Sequence, residues 1–191
     1  QDSPPPENPR LSQSLQELTQ RAKEVVRRCE AKRGELLDLL EQKASTIGWK
    51  VFRAPSLEDA AGYLREVASK HKAQRVVRSD QPVFQRLDLA KVLPEVHVTV
   101  MARSTHLTPQ ELRDEAARAE LGVTGVNYAI AETGSIVLLP RKGLSRLVSL
   151  LPPVHVAIVE PEQVIQTLDD LLLLRRVAFL QNGGDMGSYM S

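Results

Sequence analysis

Residues 122–140 read GVTGVNYAIAETGSIVLLP, and this stretch decides the fold. Its apolar segments predict two strands that meet at Glu132-Thr133-Gly134-Ser135. Gly134 suits the positive φ that a tight two-residue connection between strands requires. A carboxylate between two buried strands is costly unless it has a partner or a use. The role of Glu132 is therefore the main question that this sequence raises.

Strand and helix patterns alternate along the whole chain. Short apolar or alternating segments are typical of strands. We predict strands at about Trp49 to Arg53, Arg75 to Arg78, Val96 to Val100, Tyr128 to Ala131, Ile136 to Leu139, Val154 to Val159 and Val177 to Leu180. This alternation predicts an α/β fold with a mostly parallel sheet flanked by helices. In such sheets ligands bind beyond the carboxyl ends of the strands, and Glu132 follows a strand.

Helix starts are marked by capping residues. The clearest is Thr108-Pro109-Gln110-Glu111, which combines a cap, a proline at the first helical position and a capping-box glutamate. Ser56 caps a predicted helix that runs to about Lys70. Short helices are predicted between residues 82 and 93, and a last helix is predicted to open at Pro161. Residues 122–125 are not a P-loop, because no Lys-Ser or Lys-Thr follows. We interpret them as strand punctuation, meaning glycines that mark the boundary of a strand.

The sequence divides into a tail, an arm and a domain. Residues 1–10 are polar and proline-rich, which predicts a disordered or extended tail. Residues 11–47 carry an apolar helical stripe interrupted at Gly34, which predicts a helical arm. The arm either packs on its own domain or holds a partner subunit, a homo-oligomer being one such assembly. Residues 48–191 form the α/β domain.

Composition excludes several classes of function. The 191 residues carry a net charge of +1 and only 4% aromatic residues, so neither charge nor stacking favours nucleic-acid binding. Cys29 is the single cysteine, which excludes an internal disulfide and a cysteine cluster for iron–sulfur or zinc. This usage favours a reducing cytoplasm. No apolar segment of the sequence is long enough for a membrane span.

Two groups of residues are candidates for a site. Glu132 can act as a base, an acyl carrier or an orienting group, with Thr133 and Gly134 supplying backbone N–H groups. The alternative is that Glu132 caps the turn or pairs with an arginine. The second group is a basic segment before a short helix, which is typical of an anion site or of a solvated loop. It contains Arg141, Lys142, Gly143, Ser145 and Arg146.

The four histidines lack the spacing of metal ligands, so we predict no metal site. His97 and His155 fall in predicted strands. We interpret both as hydrogen-bonded core residues.

Two motifs carry a family resemblance. Ala131-Glu132-Thr133-Gly134-Ser135 is followed by Leu151-Pro152-Pro153-Val154-His155, in that order. Together they resemble the LUD domain family, and more closely its lactate-utilisation protein C branch (LutC/YkgG). The resemblance covers about residues 35 to 191.

The resemblance implies a fold like that of the NagB/RpiA/CoA-transferase group. It implies a part in oxidising L-lactate to pyruvate, with iron–sulfur clusters on partner subunits and no cofactor in this chain. Some CoA transferases of that group use a glutamate followed two residues later by glycine, and Glu132 and Gly134 have this spacing. Family members continue with a Gly-Pro-Ser-Arg-Thr-x-Asp-Ile-like segment that this chain lacks, so a site containing it is expected to be incomplete here.

Two functions therefore remain open. One is a subunit of a lactate-oxidising assembly without a complete active site of its own. The other is a CoA-transferase-like or sugar-phosphate-isomerase-like enzyme that uses Glu132 and a nearby anion site.

Overall fold

A computed structural model describes residues 9–102, 106–139 and 144–181 of the chain. Its helices are α1 Pro9–Ala31, α2 Arg33–Thr46, α3 Leu57–Lys70, α4 Val83–Arg86, α5 Leu89–Val92, α6 Pro109–Arg118, α7 Leu144–Leu150 and α8 Leu168–Gln181. Its strands are β1 Arg75–Arg78, β2 His97–Val100, β3 Leu121–Gly125, β4 Tyr128–Ile130, β5 Ser135–Val137, β6 Val154–Ile158 and β7 Val164–Ile165. No helix within these ranges is both long and apolar enough to cross a membrane.

The main sheet has four parallel strands in the order β2-β1-β3-β6. One face packs on α3, α4 and α5, and the other packs on α6 and α7. A parallel sheet with both faces covered by helices is an α/β architecture. The predicted fold class is therefore confirmed.

Strand β3 lies in the interior of this sheet, and all five of its residues are buried. The interpretation of Gly122 to Gly125 as punctuation is therefore wrong. A Cβ on Gly122 would lie 1.9 Å from the carbonyl oxygen of Val148, because the backbone of α7 crosses the strand there. Glycine is required because any side chain would separate α7 from the sheet.

A second sheet contains β5, β4 and β7 in that order. Strands β4 and β5 form the antiparallel hairpin predicted around Glu132, and β7 pairs in parallel with β4. Both apolar segments of the hairpin are thus confirmed as strands.

The N-terminal arm is helical, as predicted, and it packs on the second sheet and on α8. Val25, Cys29 and Leu36 are buried against β4, β7 and α8. Arg28 donates from Nη2 to Oδ1 of Asp170 in α8 at 2.6 Å. The two helices meet at Lys32 rather than at Gly34. The predicted tail at residues 1–10 lies almost wholly outside the described residues.

The capping predictions are confirmed. Thr108 and Glu111 form the reciprocal capping box of α6, with Pro109 at its first position. Ser56 accepts a hydrogen bond from the backbone N–H of Asp59 at the start of α3. The short helices predicted between residues 82 and 93 are α4 and α5.

Three element predictions are wrong. Residues 49–53 are not a strand, because side-chain contacts hold them instead: Trp49 packs edge-on against His155, and Phe52 stacks on Tyr63. Residues 177–180 belong to the helix α8, which packs against α1.

The third error is the start of the last helix. It begins at Leu168 rather than at Pro161, and Pro161 opens only a short 3₁₀ turn before β7. Thr167 explains the later start. Its hydroxyl accepts from the N–H of Asp170, whose carboxylate accepts from the N–H of Thr167.

We predict that Gly122→Ala destabilises the protein by about 1–3 kcal/mol, because a backbone carbonyl cannot swing away from the new methyl group. Gly62→Ala is the matched control, since a Cβ there meets nothing within 4 Å. In the middle of α3 it should be neutral or stabilise by about 0.5–1 kcal/mol. Urea unfolding measures both. Equal effects of the two changes would contradict the role assigned to Gly122.

Adjacent valines in α1 test the packing of the arm. Val25 is 5% exposed and Val26 is 45% exposed. Val25→Ala should lower the free energy of unfolding by about 1–2 kcal/mol, whereas Val26→Ala should change it by less than about 0.5 kcal/mol. Comparable losses measured by urea unfolding would argue against an arm folded onto its own chain.

Candidate functional site

Glu132 lies at the carboxyl ends of the parallel strands β4 and β7. Its backbone N–H donates to the carbonyl of Gln166 at 3.1 Å. Its Oε1 accepts from the N–H of Leu168, the first residue of α8, at 3.0 Å. Negative charge is favourable at a helix N-terminus, so the exposed carboxylate of Glu132 helps to cap α8. A chemical role for Glu132 stays a prediction.

Gly134 has the positive φ that the sequence predicted, at +70°. The connection between β4 and β5 spans residues 131–134 rather than two residues, because β4 ends at Ile130. A Cβ on Gly134 would lie 2.3 Å from the backbone nitrogen of Ala44 in α2. The buried Gly134 therefore lets the hairpin tip rest on the arm, while Glu132 and Thr133 remain exposed.

The basic segment is only partly described. Arg141, Lys142 and Gly143 lie outside the described residues. Ser145 is buried and Arg146 is exposed, both in α7. Helix α7 packs on the main sheet, whereas Glu132 belongs to the hairpin of the second sheet. The described parts of the two candidate groups therefore lie on different sheets.

Sequence reasoning missed a polar cluster at the carboxyl end of β1. Ser79 and Gln81 are 1% and 6% exposed, although both side chains are polar. The Ser79 hydroxyl donates to Oε1 of Gln81 and accepts from the N–H of Gly125, at the end of β3. A Cβ on Gly125 would lie 2.8 Å from Cβ of Gln81. Polar residues directly after a predicted buried strand were the signal that could have revealed this cluster.

Arg78 belongs to the same edge of the main sheet. Its Nη1 donates to the carbonyl oxygen of Ser79 at 3.0 Å, and its guanidinium lies 5.0 Å from the centre of the Phe84 ring. Burial lowers the pKa of Arg78, and Asp80 and Asp88 offset this effect only in part. No carboxylate among the described residues forms an ion pair with it.

A second arginine lies at the same edge of the main sheet. Arg86 in α4 forms an ion pair with Glu160, two residues beyond β6. Glu160 in turn donates its backbone N–H to Oε1 of Gln163 at 2.8 Å. This ion pair links the short helix α4 to the segment that follows β6.

The two strand histidines differ. Nε2 of His155 lies 2.8 Å from Oγ1 of the fully buried Thr124, and this contact matches the predicted hydrogen-bonded core histidine. His97 is exposed on the edge strand β2, so the core interpretation is wrong for it. Within the described ranges, no group of three or more His, Cys, Asp or Glu residues could hold a metal ion.

Comparisons with known proteins point to one family. The LUD domain family model matches residues 37–191. The chain is 26% identical over 183 residues to "Lactate utilization protein B" of Bacillus pumilus. The aligned region covers 71% of this chain and 39% of the relative. It is 28% identical over 182 residues to "Uncharacterized electron transport protein YkgF" of Escherichia coli, covering 71% and 38% respectively. The chain thus spans less than two fifths of the length of these curated relatives.

His155 should make stability depend on pH. Burial lowers the pKa of its imidazole in the folded state. The unfolded chain, with a histidine pKa of about 6.5, then binds the proton more tightly. The free energy of unfolding should therefore fall as the pH drops below about 6.5, and less so in His155→Gln.

The measurement is urea unfolding at about pH 7.5 and about pH 5.5. Comparing the two pH values within each variant removes any effect of the substitution that does not depend on pH. A His155→Gln variant with the same pH dependence as wild type would contradict this account.

Proposed function

The chain belongs to the LUD domain family, and from this premise we propose that it takes part in the oxidation of L-lactate to pyruvate. One observation carries the proposal: the family match spans residues 37–191, and the relatives that share it include proteins named for lactate utilisation. The name of the relative from Escherichia coli adds a context of electron transport.

Within this role, we assign the chain as a subunit that works with iron–sulfur partner proteins in the cytoplasm. Oxidation of lactate releases two electrons, which need an acceptor. The 191-residue sequence contains a single cysteine, whereas an iron–sulfur cluster takes about four cysteine ligands. Cys29 is also buried, which raises the pKa of its thiol and disfavours the thiolate. An iron–sulfur cluster that accepts these electrons would therefore need cysteine ligands from outside this sequence.

The assignment to the lactate-utilisation protein C branch is part of the proposal. The resemblance of the hairpin and Pro152-Pro153 motifs supports it. The relative from Bacillus pumilus carries the protein B name and the one from Escherichia coli is named YkgF, so the branch rests on those motifs alone. A purified assembly in which this chain copurifies with separate iron–sulfur subunits would support the assignment.

The second candidate function is a CoA-transferase-like or isomerase-like enzyme. The exposed carboxylate of Glu132, two residues before Gly134, favours it. Oε1 of Glu132 accepts from the Leu168 N–H, and acyl transfer would not require this hydrogen bond to break. Its second oxygen has no such bond to the backbone of α8, so a nucleophilic oxygen is still present.

Growth on L-lactate tests the role and the carboxylate together. A strain that lacks this protein should fail to grow on L-lactate and recover with the wild-type gene. Glu132→Gln keeps an oxygen for the Leu168 N–H and removes the charge, so stability should change by less than about 1 kcal/mol. If Glu132 acts chemically, this variant should fold but not restore growth.

Glu66→Gln is the matched control, because Glu66 is an exposed carboxylate on α3. It should restore growth fully. Normal growth of the deletion strain without complementation would overturn the proposed function. Full rescue by a folded Glu132→Gln variant would remove only the chemical role of Glu132.

A further inference from the structure

Helix α8 carries apolar side chains on its outer side as well as on its buried side. Leu168, Leu172 and Leu180 are 50%, 58% and 38% exposed, whereas Leu171 and Val177 are buried and the helix packs on α1. A helix that is apolar on all sides is normally covered on all sides. The outer side of α8 therefore lacks a cover among the described residues.

The three exposed leucines form one row along the helix. They lie at spacings that are multiples of four residues, and Arg176 completes the row. Such rows are the ridges that interdigitate when two helices pack. No other helix in the described ranges exposes three large apolar side chains. Single exposed side chains are ordinary, whereas a contiguous apolar row marks a surface for association.

Two opposite charges flank the centre of this row. Asp169 and Arg176 are both exposed, and they are about two helical turns apart, which puts them on the same side of α8 as Leu172. Neither forms an ion pair with another residue in the part of the chain that the structure describes. Both charges are therefore available to a partner that packs on the row.

This order of charges is complementary to itself in one orientation. In an antiparallel pair of α8 helices with a two-fold axis near Leu172, Asp169 of each copy faces Arg176 of the other. In a parallel pair, equivalent residues would face each other, and like charges repel. The pattern therefore fits a second copy of this chain related by a two-fold axis.

We propose that the chain forms a homodimer in which the outer sides of two α8 helices pack antiparallel about a two-fold axis near Leu172. The leucines of the row form the apolar centre of the interface, and the two Asp169–Arg176 pairs form its polar rim. One pair of short helices buries little area, so the dimer is weak and its population depends on concentration. The proposal does not depend on the lactate role.

Sedimentation equilibrium of the full chain measures this association. The wild type should shift from monomer to dimer between about 5 and about 200 μM, the range expected for a small interface. Leu172→Asp should stay monomeric, because it places two carboxylates at the centre of the interface. Leu57→Asp is the matched control, since Leu57 is a 43% exposed leucine in the first turn of α3. It should dimerise like wild type.

Reversing the charges tests the orientation of the two helices. Asp169→Lys and Arg176→Glu should each raise the dissociation constant of the dimer about tenfold, because the symmetry creates the repulsive pair twice. The double variant Asp169→Lys/Arg176→Glu restores both pairs with the signs exchanged. Its dissociation constant should return to within about threefold of wild type.

A wild type that stays monomeric at the highest concentration overturns the proposal. This is also the result expected if residues 182–191 or another protein cover the row instead. Equal weakening by Leu172→Asp and Leu57→Asp overturns it, as does wild-type dimerisation of a folded Leu172→Asp variant. A double variant that associates no more tightly than the single ones overturns it as well. If Leu172→Asp does not fold by circular dichroism, the charge reversals decide.

Discussion

The complete burial of β3 is the constraint on which the rest of the structure depends. This strand pairs with β1 on one side and β6 on the other, and helices cover both of its faces. Its two glycines lie where neighbouring atoms approach most closely: the backbone of α7 at Gly122, and the side chains of Gln81 and Val83 at Gly125. Close packing on both faces fixes the order of the parallel strands and, through Gly125, the position of the polar cluster.

The second sheet is held by the arm in a similar way. Gly134 lets the tip of the β4–β5 hairpin rest against the backbone of α2, and Arg28 ties α1 to Asp170 at the start of α8. Glu132 caps the same helix from the hairpin. The N-terminus of α8 is thus the point where arm, hairpin and sheet are joined, so a change at Glu132 affects support of the fold as well as any chemistry.

Local signals in the sequence predicted the elements whose stability is local. The caps at Ser56 and Thr108 and the hairpin around Gly134 are examples, because their hydrogen bonds join residues close in sequence. The errors occurred where distant packing decides. Residues 177–180 have a strand-like composition but belong to α8, which packs on α1. The glycines of β3 suggest a strand boundary, because only their contacts with α7 and Gln81 explain them. Arg78 was predicted only as a strand residue, since its contact with the Phe84 ring joins residues of two different elements.

Two half-buried arginines show how their surroundings move the pKa of a guanidinium in opposite directions. Arg28 has the Asp170 carboxylate at 2.6 Å, and this hydrogen bond raises its pKa. Arg78 has a backbone carbonyl and an aromatic ring, and burial lowers its pKa. The attraction to Asp170 offsets the desolvation of Arg28, while the buried Nε of Arg28 has no hydrogen-bond partner among the described residues. For Arg78 the nearby Asp80 and Asp88 offset the desolvation only in part, so its pKa stays lowered.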